Sequence, residues 1–490
     1  MTTAAATSAR GLVALLSERA LSQDSRPALV EISQNGMRRR KTSRDLDQVS
    51  AAVSSRLARR ARADGPVVAC FPGSPILEAI EYALGALRAG IPLFPMPADL
   101  ETPDRVRLLH TASAIGIPVD PATGSVIADC PAGHSRPAPP GLVEANVLLA
   151  TSGTTGPPNL VAHRFDLIRA GTTGFSLLFG RAGWRAGQRQ LLTLPCSHIA
   201  PIQAAIRGVV DGNTIVTMNV VTGELLDLAL EHQIDWMLTA PHQMAQAAAS
   251  SRAMGERVPR RLSVLHTGSG CPAATKRAWI STVGPENLFE MYGGTEAPGM
   301  TFVDGVTWLE RPGTVGKGFL SRVSIRDESG VEVPPGVEGE VYLKTFRTGT
   351  PVGGEHWLRR TDDGFMSLGD VGSLDDDGYL FVKGRRAQRV RHHGVAVWLT
   401  ELESAIAEHP AVSDVAVEAF VECSSTRISV TVAVADRATA PSSPEIEQIV
   451  RRFGHAAMRI EEPRFVSQID RTAIGKRRLA RPGTTLSGGS

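Results

Sequence analysis

Four short stretches of the chain carry residue types that could do chemistry together. Thr151, Ser152, Gly153, Thr154, Thr155 and Gly156 follow the apolar run Leu148-Leu149-Ala150. Glycines let backbone N–H groups converge on an anion and the hydroxyls add donors, which is how a loop wraps phosphate oxygens. The same composition also makes an ordinary linker. It is not a Walker loop, because no Gly-Lys-Ser/Thr ends it. Tyr292-Gly293-Gly294-Thr295-Glu296 closes a second apolar run. There an aromatic can stack a base, the glycines permit close approach, a hydroxyl can donate to a phosphate and a carboxylate can hold Mg²⁺. A turn with a solvated Glu is the plain alternative. Gly369-Asp370 precedes a hairpin that ends at Gly384-Arg385, so Asp370 can accept both hydroxyls of a ribose with Arg385 approaching the same nucleotide. Asp375-Asp376-Asp377 between them reads as a solvated turn. Last, Arg471-Thr472-Ala473-Ile474-Gly475-Lys476 sets a Lys near the C-terminus of a chain with 46 Arg and 6 Lys. A point charge on a flexible stem suits that place, and a surface Lys is the alternative.

These stretches need a scaffold, and the first 300 residues supply an alternation of apolar runs and helix-like segments. Strands are expected at 67–71, 91–95, 146–150, 190–195, 214–218, 235–239, 262–266 and 287–291, and a helix at 75–89. Alternating β and α units imply a mostly parallel sheet covered on both faces. From about residue 322 short alternating segments with Gly, Pro and Asp turns predict antiparallel β. After Gly384 the texture changes again: helices at 399–408 and 443–455, strands at 412–421 and 427–435. The expected class is α/β, with a large N-terminal domain over 1–384, a small α+β domain over 385–482, and a frayed tail over 483–490.

Of the 490 residues, 42% are apolar and 21% charged, which excludes a collagen-like, coiled-coil or largely disordered chain. A net charge of +2 gives no global field toward nucleic acid or an anionic membrane. The basic run Arg385, Arg386, Arg389, Arg391, His392 and His393 lacks interleaved aromatics and does not read as a nucleic-acid site. Cys70, Cys130, Cys196, Cys271 and Cys423 show no metal-ligand spacing. With no signal peptide at the start and no apolar run near the ~20 residues of a membrane span, a reduced, cytoplasmic protein is expected.

Taken together, TSGTTGPP, LPCSHI, GSGCP, YGGTE, GDVGSLDDDGYLFVKGR and RTAIGKRRL, in this order and spacing, resemble the acyl-adenylate-forming superfamily of acyl-CoA ligases, nonribosomal-peptide adenylation domains and luciferase-like enzymes, from about residue 65 to 481. The resemblance implies a large domain with a mobile C-terminal lid. It implies that residues Thr151 to Gly156 wrap the β- and γ-phosphates of ATP, that Ser269, Gly270, Cys271 and Pro272 lie along the adenine, and that Tyr292 stacks on it. Thr295 would contact the α-phosphate, Glu296 would help hold Mg²⁺, and Asp370 would bind the ribose with Arg385 nearby. Lys476 would reach from the lid to the α-phosphate and the attacking carboxylate, while His198 would sit by the acyl group. A carboxylate attacking phosphorus builds negative charge that Mg²⁺ and Lys neutralise.

Three places depart from the family. Its phosphate loop continues Pro-Lys-Gly, whereas Pro158-Asn159-Leu160 stands here, so a cation beside the leaving phosphates is missing. Its hinge Asp or Lys is Ala387, after Arg386. The loop that meets pantetheine ends in a small residue and Pro, whereas this chain has Trp398-Leu399; Gly394 is retained and leaves room for close approach. The expected function is an ATP-dependent ligase that forms an acyl-AMP from a small or medium carboxylic acid and passes the acyl group to CoA or the phosphopantetheine of a carrier protein. An amine acceptor giving an amide, and a thioester-forming enzyme that takes a preformed acyl-adenylate, are the alternatives. Gly268, Gly270, Gly293 and Gly294 would leave room for a bulky acid if they line its pocket.

Overall fold

Residues buried on both faces of a sheet should be apolar without interruption, and the central strands are. In Val147–Ala150, Val147 and Leu149 face one apolar cluster while Leu148 and Ala150 face another. Leu191 and Leu192 divide in the same way, as do Val264 and Leu265. Period-two alternation between two cores is the mark of a sheet covered on both sides. The structure, a computed structural model, describes residues 3–21, 26–33, 36–64, 68–100, 102–113, 146–151, 158–165, 174–218, 224–251, 253–258, 261–346, 348–352, 358–392, 395–409, 411–422, 425–434, 437–453, 459–469 and 471–472.

The larger sheet has thirteen strands. Its parallel run is Leu288–Gly293, Ser263–His266, Trp236–Thr239, Arg189–Leu192, Thr214–Met218 and Leu29–Ile32, in that spatial order. Beyond Leu288–Gly293 the sheet continues antiparallel through Met300–Asp304, Thr314–Gly318, Leu380–Arg385, Met366–Leu374, Gly339–Lys344 and Arg322–Arg326. The parallel order was expected for the first 300 residues and the antiparallel order after about 322. The switch falls earlier, at Met300–Asp304, because only six residues join it to the preceding strand, too few for a crossover. A second sheet of five strands runs Thr350–Val352, Leu160–His163, Val147–Ala150, Leu93–Met96 and Ala69–Pro72. The main core lies between the sheets, around the helices Ile76–Ala89 and Ile199–Asp211.

The outer edge of the large sheet is Arg38–Lys41, whose side chains are Arg, Arg, Arg and Lys. Charge on an edge blocks pairing with another chain. Arg38 pairs with Glu231, Arg39 with Glu31 and Glu78, and Lys41 with Glu81.

C-terminal to Leu380–Arg385 the apolar residues form their own cluster. Val390, Val397, Leu402, Ile406, Val415, Val417, Ile428, Val430, Val432, Ile446 and Val450 pack together, on the strand pair Arg389–His392 with Val395–Trp398, the helices Leu399–Ile406 and Ser443–Phe453 and the hairpin of Val412–Glu422 with Ser425–Val434. Near the chain junction, Glu340 is almost fully buried and accepts from Ser367 Oγ at 2.6 Å, Arg359 Nη1 at 2.9 Å and Arg386 Nη2 at 2.9 Å. The stretch that follows Leu380–Arg385 is thus tied to the large sheet through Arg386. Among the described residues, no helix is long and apolar enough to cross a membrane.

Helix Ser43–Asp64 packs on Ile76–Ala89 so closely that a Cβ on Gly85 would stand 2.3 Å from Val53 Cγ1 and 2.4 Å from Val53 Cβ. Gly85→Ala is therefore expected to destabilise the protein by about 1–3 kcal/mol through overpacking. Urea unfolding should show the loss, and Val53→Ala in the same chain should restore part of it. Additive losses would mean that the two helices do not meet there.

Candidate active site

The parallel strands of both sheets end on the same side, the usual place for a site in an α/β protein. Thr151 follows Val147–Ala150. Its N–H donates to Asn159 O at 2.8 Å and its hydroxyl accepts from Asn159 N–H at 2.9 Å, closing the neck of the loop between the antiparallel strands Val147–Ala150 and Leu160–His163. Ser152, Gly153, Thr154, Thr155 and Gly156 lie outside the described residues.

The strand Leu288–Gly293 brings Tyr292 to the same side. Tyr292 Oη donates to Asp370 Oδ2 at 2.6 Å, and Arg385 Nε stands 3.6 Å from Asp370 Oδ1. Asp370 and Arg385 are cross-strand partners of Met366–Leu374 and Leu380–Arg385, so the antiparallel register sets this pair. Burial, and then the Asp370 carboxylate, holds the Tyr292 phenol well above its usual range, so it remains a donor. Three residues proposed from two separate stretches thus form one unit, joined by a hydrogen bond and an ion pair, and the Tyr292 hydroxyl contact was not legible in the spacing.

Thr295 and Glu296 follow, both half-buried. Gly349 N–H donates to Glu296 O at 2.9 Å, and Thr350–Val352 then pairs with Leu160–His163. His163, buried and stacked on Phe165 with centroids 4.9 Å apart, bonds to the Thr295 backbone. Burial brings its imidazole down to about 4, so it is neutral, and its Nε2 has no partner among the described residues. The sequence reading missed His163 and Gly349; they join the phosphate-type loop to the Glu-bearing turn, and only the pairing of the fold reveals them. The space expected at two glycines is filled by protein: a Cβ on Gly294 would meet Leu368 Cδ2 at 2.6 Å, and one on Gly293 would meet Gly299 O at 3.1 Å. A Cβ on Gly270 would meet nothing within 4 Å among the described residues, and Gly268 has φ +101°.

Ser269, Gly270 and Cys271 lead into helix Ala273–Val283, with Pro272 at its N-cap. Thr267 Oγ1 donates to Met291 O at 2.8 Å, which holds this loop against the Tyr292 strand. Behind it Lys276 and Glu290 form a buried ion pair, with Lys276 Nζ 4.9 Å from the Trp308 ring. Burial pushes the thiols of Cys70, Cys196 and Cys271 up to about 12, so none of them is a thiolate nucleophile.

His198 caps the N-terminus of helix Ile199–Asp211, next to the fully buried Ser197. A cavity of about 350 Å³ opens beside them, between strand ends of both sheets, helix Pro241–Ser250 and the C-terminal cluster. Arg471 faces it and binds Asp414 through Nε and Nη2, each at 2.5 Å. Lys476, four residues beyond Thr472, lies outside the described residues, as does Gly394. Trp398 is buried, with the Arg389 guanidinium 5.3 Å above its ring, and a Cβ on Gly384 would stand 3.5 Å from it. It packs between elements. Among the described residues no group of three or more His, Cys, Asp or Glu could hold a metal ion by itself.

Residues 120–348 match the AMP-binding enzyme family. The 2-succinylbenzoate–CoA ligase of Bacillus cereus is 27% identical over 280 residues, 56% of this chain and 57% of that protein, so the chain spans little more than half the length of this curated relative. Among solved structures, o-succinylbenzoate CoA synthetase of Bacillus subtilis, in complex with its acyl-adenylate intermediate, superposes with a TM-score of 0.73 at 20% identity, covering 96% of this chain and 99% of that one. The amide bond synthetase McbA of Marinactinospora thermotolerans gives 0.71 at 20% identity, covering 96% and 98%. Residues 120–348 of the chain are thus similar to the AMP-binding enzyme family, and the fold is that of these ligase and synthetase structures.

Proposed function

We propose that the protein is an ATP-dependent carboxylic acid ligase that forms an acyl-AMP and passes the acyl group to CoA or a carrier-bound pantetheine thiol. The observation that carries this reading is the unit of Tyr292, Asp370 and Arg385 beside the Gly-Gly-Thr-Glu turn. Tyr292 fixes the Asp370 carboxylate, an acceptor-only group of the kind that binds ribose hydroxyls. The loop of Ser269 to Pro272, held by Thr267, would take the adenine edge beside Tyr292. Thr151, with residues 152–156, would receive the β- and γ-phosphates, and Thr295 the α-phosphate.

A carboxylate oxygen of the acid attacks the α-phosphorus, the bond to the bridging oxygen breaks, and pyrophosphate leaves. Lys476 would neutralise the charge that gathers on the phosphoryl oxygens. The residues present fit Mg²⁺ in the way such ions accompany nucleotides: one hard carboxylate, Glu296, with the remaining ligands coming from phosphate and water. Bound there, Mg²⁺ would supply charge neutralisation at the phosphates. In the second half-reaction a thiolate attacks the acyl carbon and AMP departs. The C-terminal segment from Arg385 would act as the lid that alternates between the halves, with Gly394 and Trp398 turned toward the acceptor in the second. An amine acceptor is the second reading, favoured by the bulk of Trp398 and Leu399 and by the likeness to an amide bond synthetase fold.

Lys476→Ala should lower acyl-AMP formation by at least about 100-fold in a single-turnover assay, since one preorganised transition-state donor is worth about that much. ATP binding should survive, and an unchanged rate would remove Lys476 from the mechanism. Asn159→Lys should speed ATP–pyrophosphate exchange while leaving transfer from synthetic acyl-AMP unaltered. Flat ATP affinity and flat exchange would place Asn159 away from the phosphates, and transfer without any exchange in the wild type would favour an enzyme fed with preformed adenylate. For the acceptor, one accepted acid is offered CoA, a phosphopantetheinylated carrier and an amine pool separately, with products read by mass spectrometry. Thioester is expected; amide without thioester overturns the thiol reading.

A further inference from the structure

The cavity of about 350 Å³ falls within the size range of small-molecule sites, ~300–1,000 Å³. Thr193 and Ser197 follow a strand of the large sheet, His242 and Gln243 stand on helix Pro241–Ser250, and Asp414 and Arg471 come from the C-terminal segment. Its polar atoms are unusually specific. The Ser197 side chain is wholly buried, and its hydroxyl has no partner among the described residues. His242 Nδ1 also lacks one. Gln243 Oε1 accepts from Thr193 Oγ1 at 2.8 Å, Thr239 Oγ1 at 2.8 Å and the Ala240 N–H at 3.3 Å. A backbone N–H can only donate, so this contact fixes the amide orientation and leaves the Nε2 amino group as the free end.

These groups define the chemistry of the occupant. Arg471 is held by both oxygens of Asp414, so the two charges compensate each other, and Asp99 also lines the space. Burial, followed by the nearby Arg471, brings His242 down to about 4 against the opposing pull of Asp414, so the imidazole is neutral. A carboxylate or phosphate would meet Asp99 and Asp414 with no uncompensated cation to bind. A hydrocarbon would leave the Ser197 hydroxyl and the His242 nitrogen buried and unmatched, which is costly. An uncharged carbonyl oxygen, ketone or amide, accepts from the Ser197 O–H and the Gln243 N–H₂ together.

We propose that this seam cavity is a specificity site for the acid being activated and seats a neutral carbonyl group in its tail, through Ser197, Gln243 and His242. The inference rests on the ligase reading above. The acid is assigned here before the acceptor because Ser197 directly precedes His198, which the ligase reading sets by the acyl group.

The test is ATP–pyrophosphate exchange without any acceptor, using matched acids that differ only by a ketone or amide carbonyl in place of a methylene. The wild type should prefer the carbonyl acid in kcat/KM by at least about tenfold, the scale of one buried hydrogen bond. Ser197→Ala should reduce that preference to less than about threefold, and His242→Leu, on the helix face, should erode it independently. Exchange with no preference in the wild type overturns the cavity proposal and leaves the ligase intact. A preference unchanged in both variants overturns it too, as does an effect confined to the KM of CoA or an amine in the full reaction, which would assign the cavity to the acceptor. No exchange with any acid brings down the ligase reading itself.

Discussion

The site depends on one short piece of backbone pairing. Gly349 N–H binds Glu296 O, and the next three residues, Thr350–Val352, form the edge strand beside Leu160–His163. This joins the turn that ends a strand of the large sheet to the hairpin that carries Thr151 on the small sheet. A Cβ on Gly349 would lie 2.3 Å from Val161 Cγ1 and 2.6 Å from His163 Cε1, so only glycine lets the strands approach. Pro351 is tolerated because the strand is an edge and half of its hydrogen-bonding groups face away from the ladder. With the two sheets joined in this way, Thr151 at the neck of its loop and the turn of Glu296 are held to one another.

Around that junction the electrostatics are arranged by burial. Tyr292 stays protonated and commits one Asp370 oxygen, His163 and His242 stay neutral, and the buried thiols stay protonated. Charges taken out of water are paired: Lys276 with Glu290 behind the Ser269 loop, Glu340 with two arginines near the chain junction, Arg471 with Asp414 at the cavity. A buried carboxylate without its partners would be strongly destabilising, so these pairs hold fixed positions. Glu296, by contrast, stands on a half-buried turn.

Glu340 bears on the stretch proposed as a hinge. With Ala387 in place of a charged residue, the polar anchor of this stretch is Arg386 on the large sheet's Glu340. In the proposed alternation, the ion pair of Arg386 with Glu340 would be the polar contact that a rotation of the C-terminal segment keeps or breaks.

Much of the architecture was legible along the chain because local periodicity dictates it. The strand at Thr214–Met218 has the expected bounds, and most others shift by one to three residues, since ends depend on neighbours that pattern does not record. Residue types also marked Thr151, Tyr292, Glu296, Asp370 and Arg385, because their chemistry is local to each motif. Tertiary structure alone decided that Tyr292 donates to Asp370, 78 residues away, and that Gly293 and Gly294 make room for Gly299 and Leu368 and so do not widen a pocket. It alone exposed Ser197, His242 and Gln243 as one lining. A hydrogen bond between distant residues depends on register and sheet order, which arise from the packing of the whole chain and leave no periodic trace in any one segment.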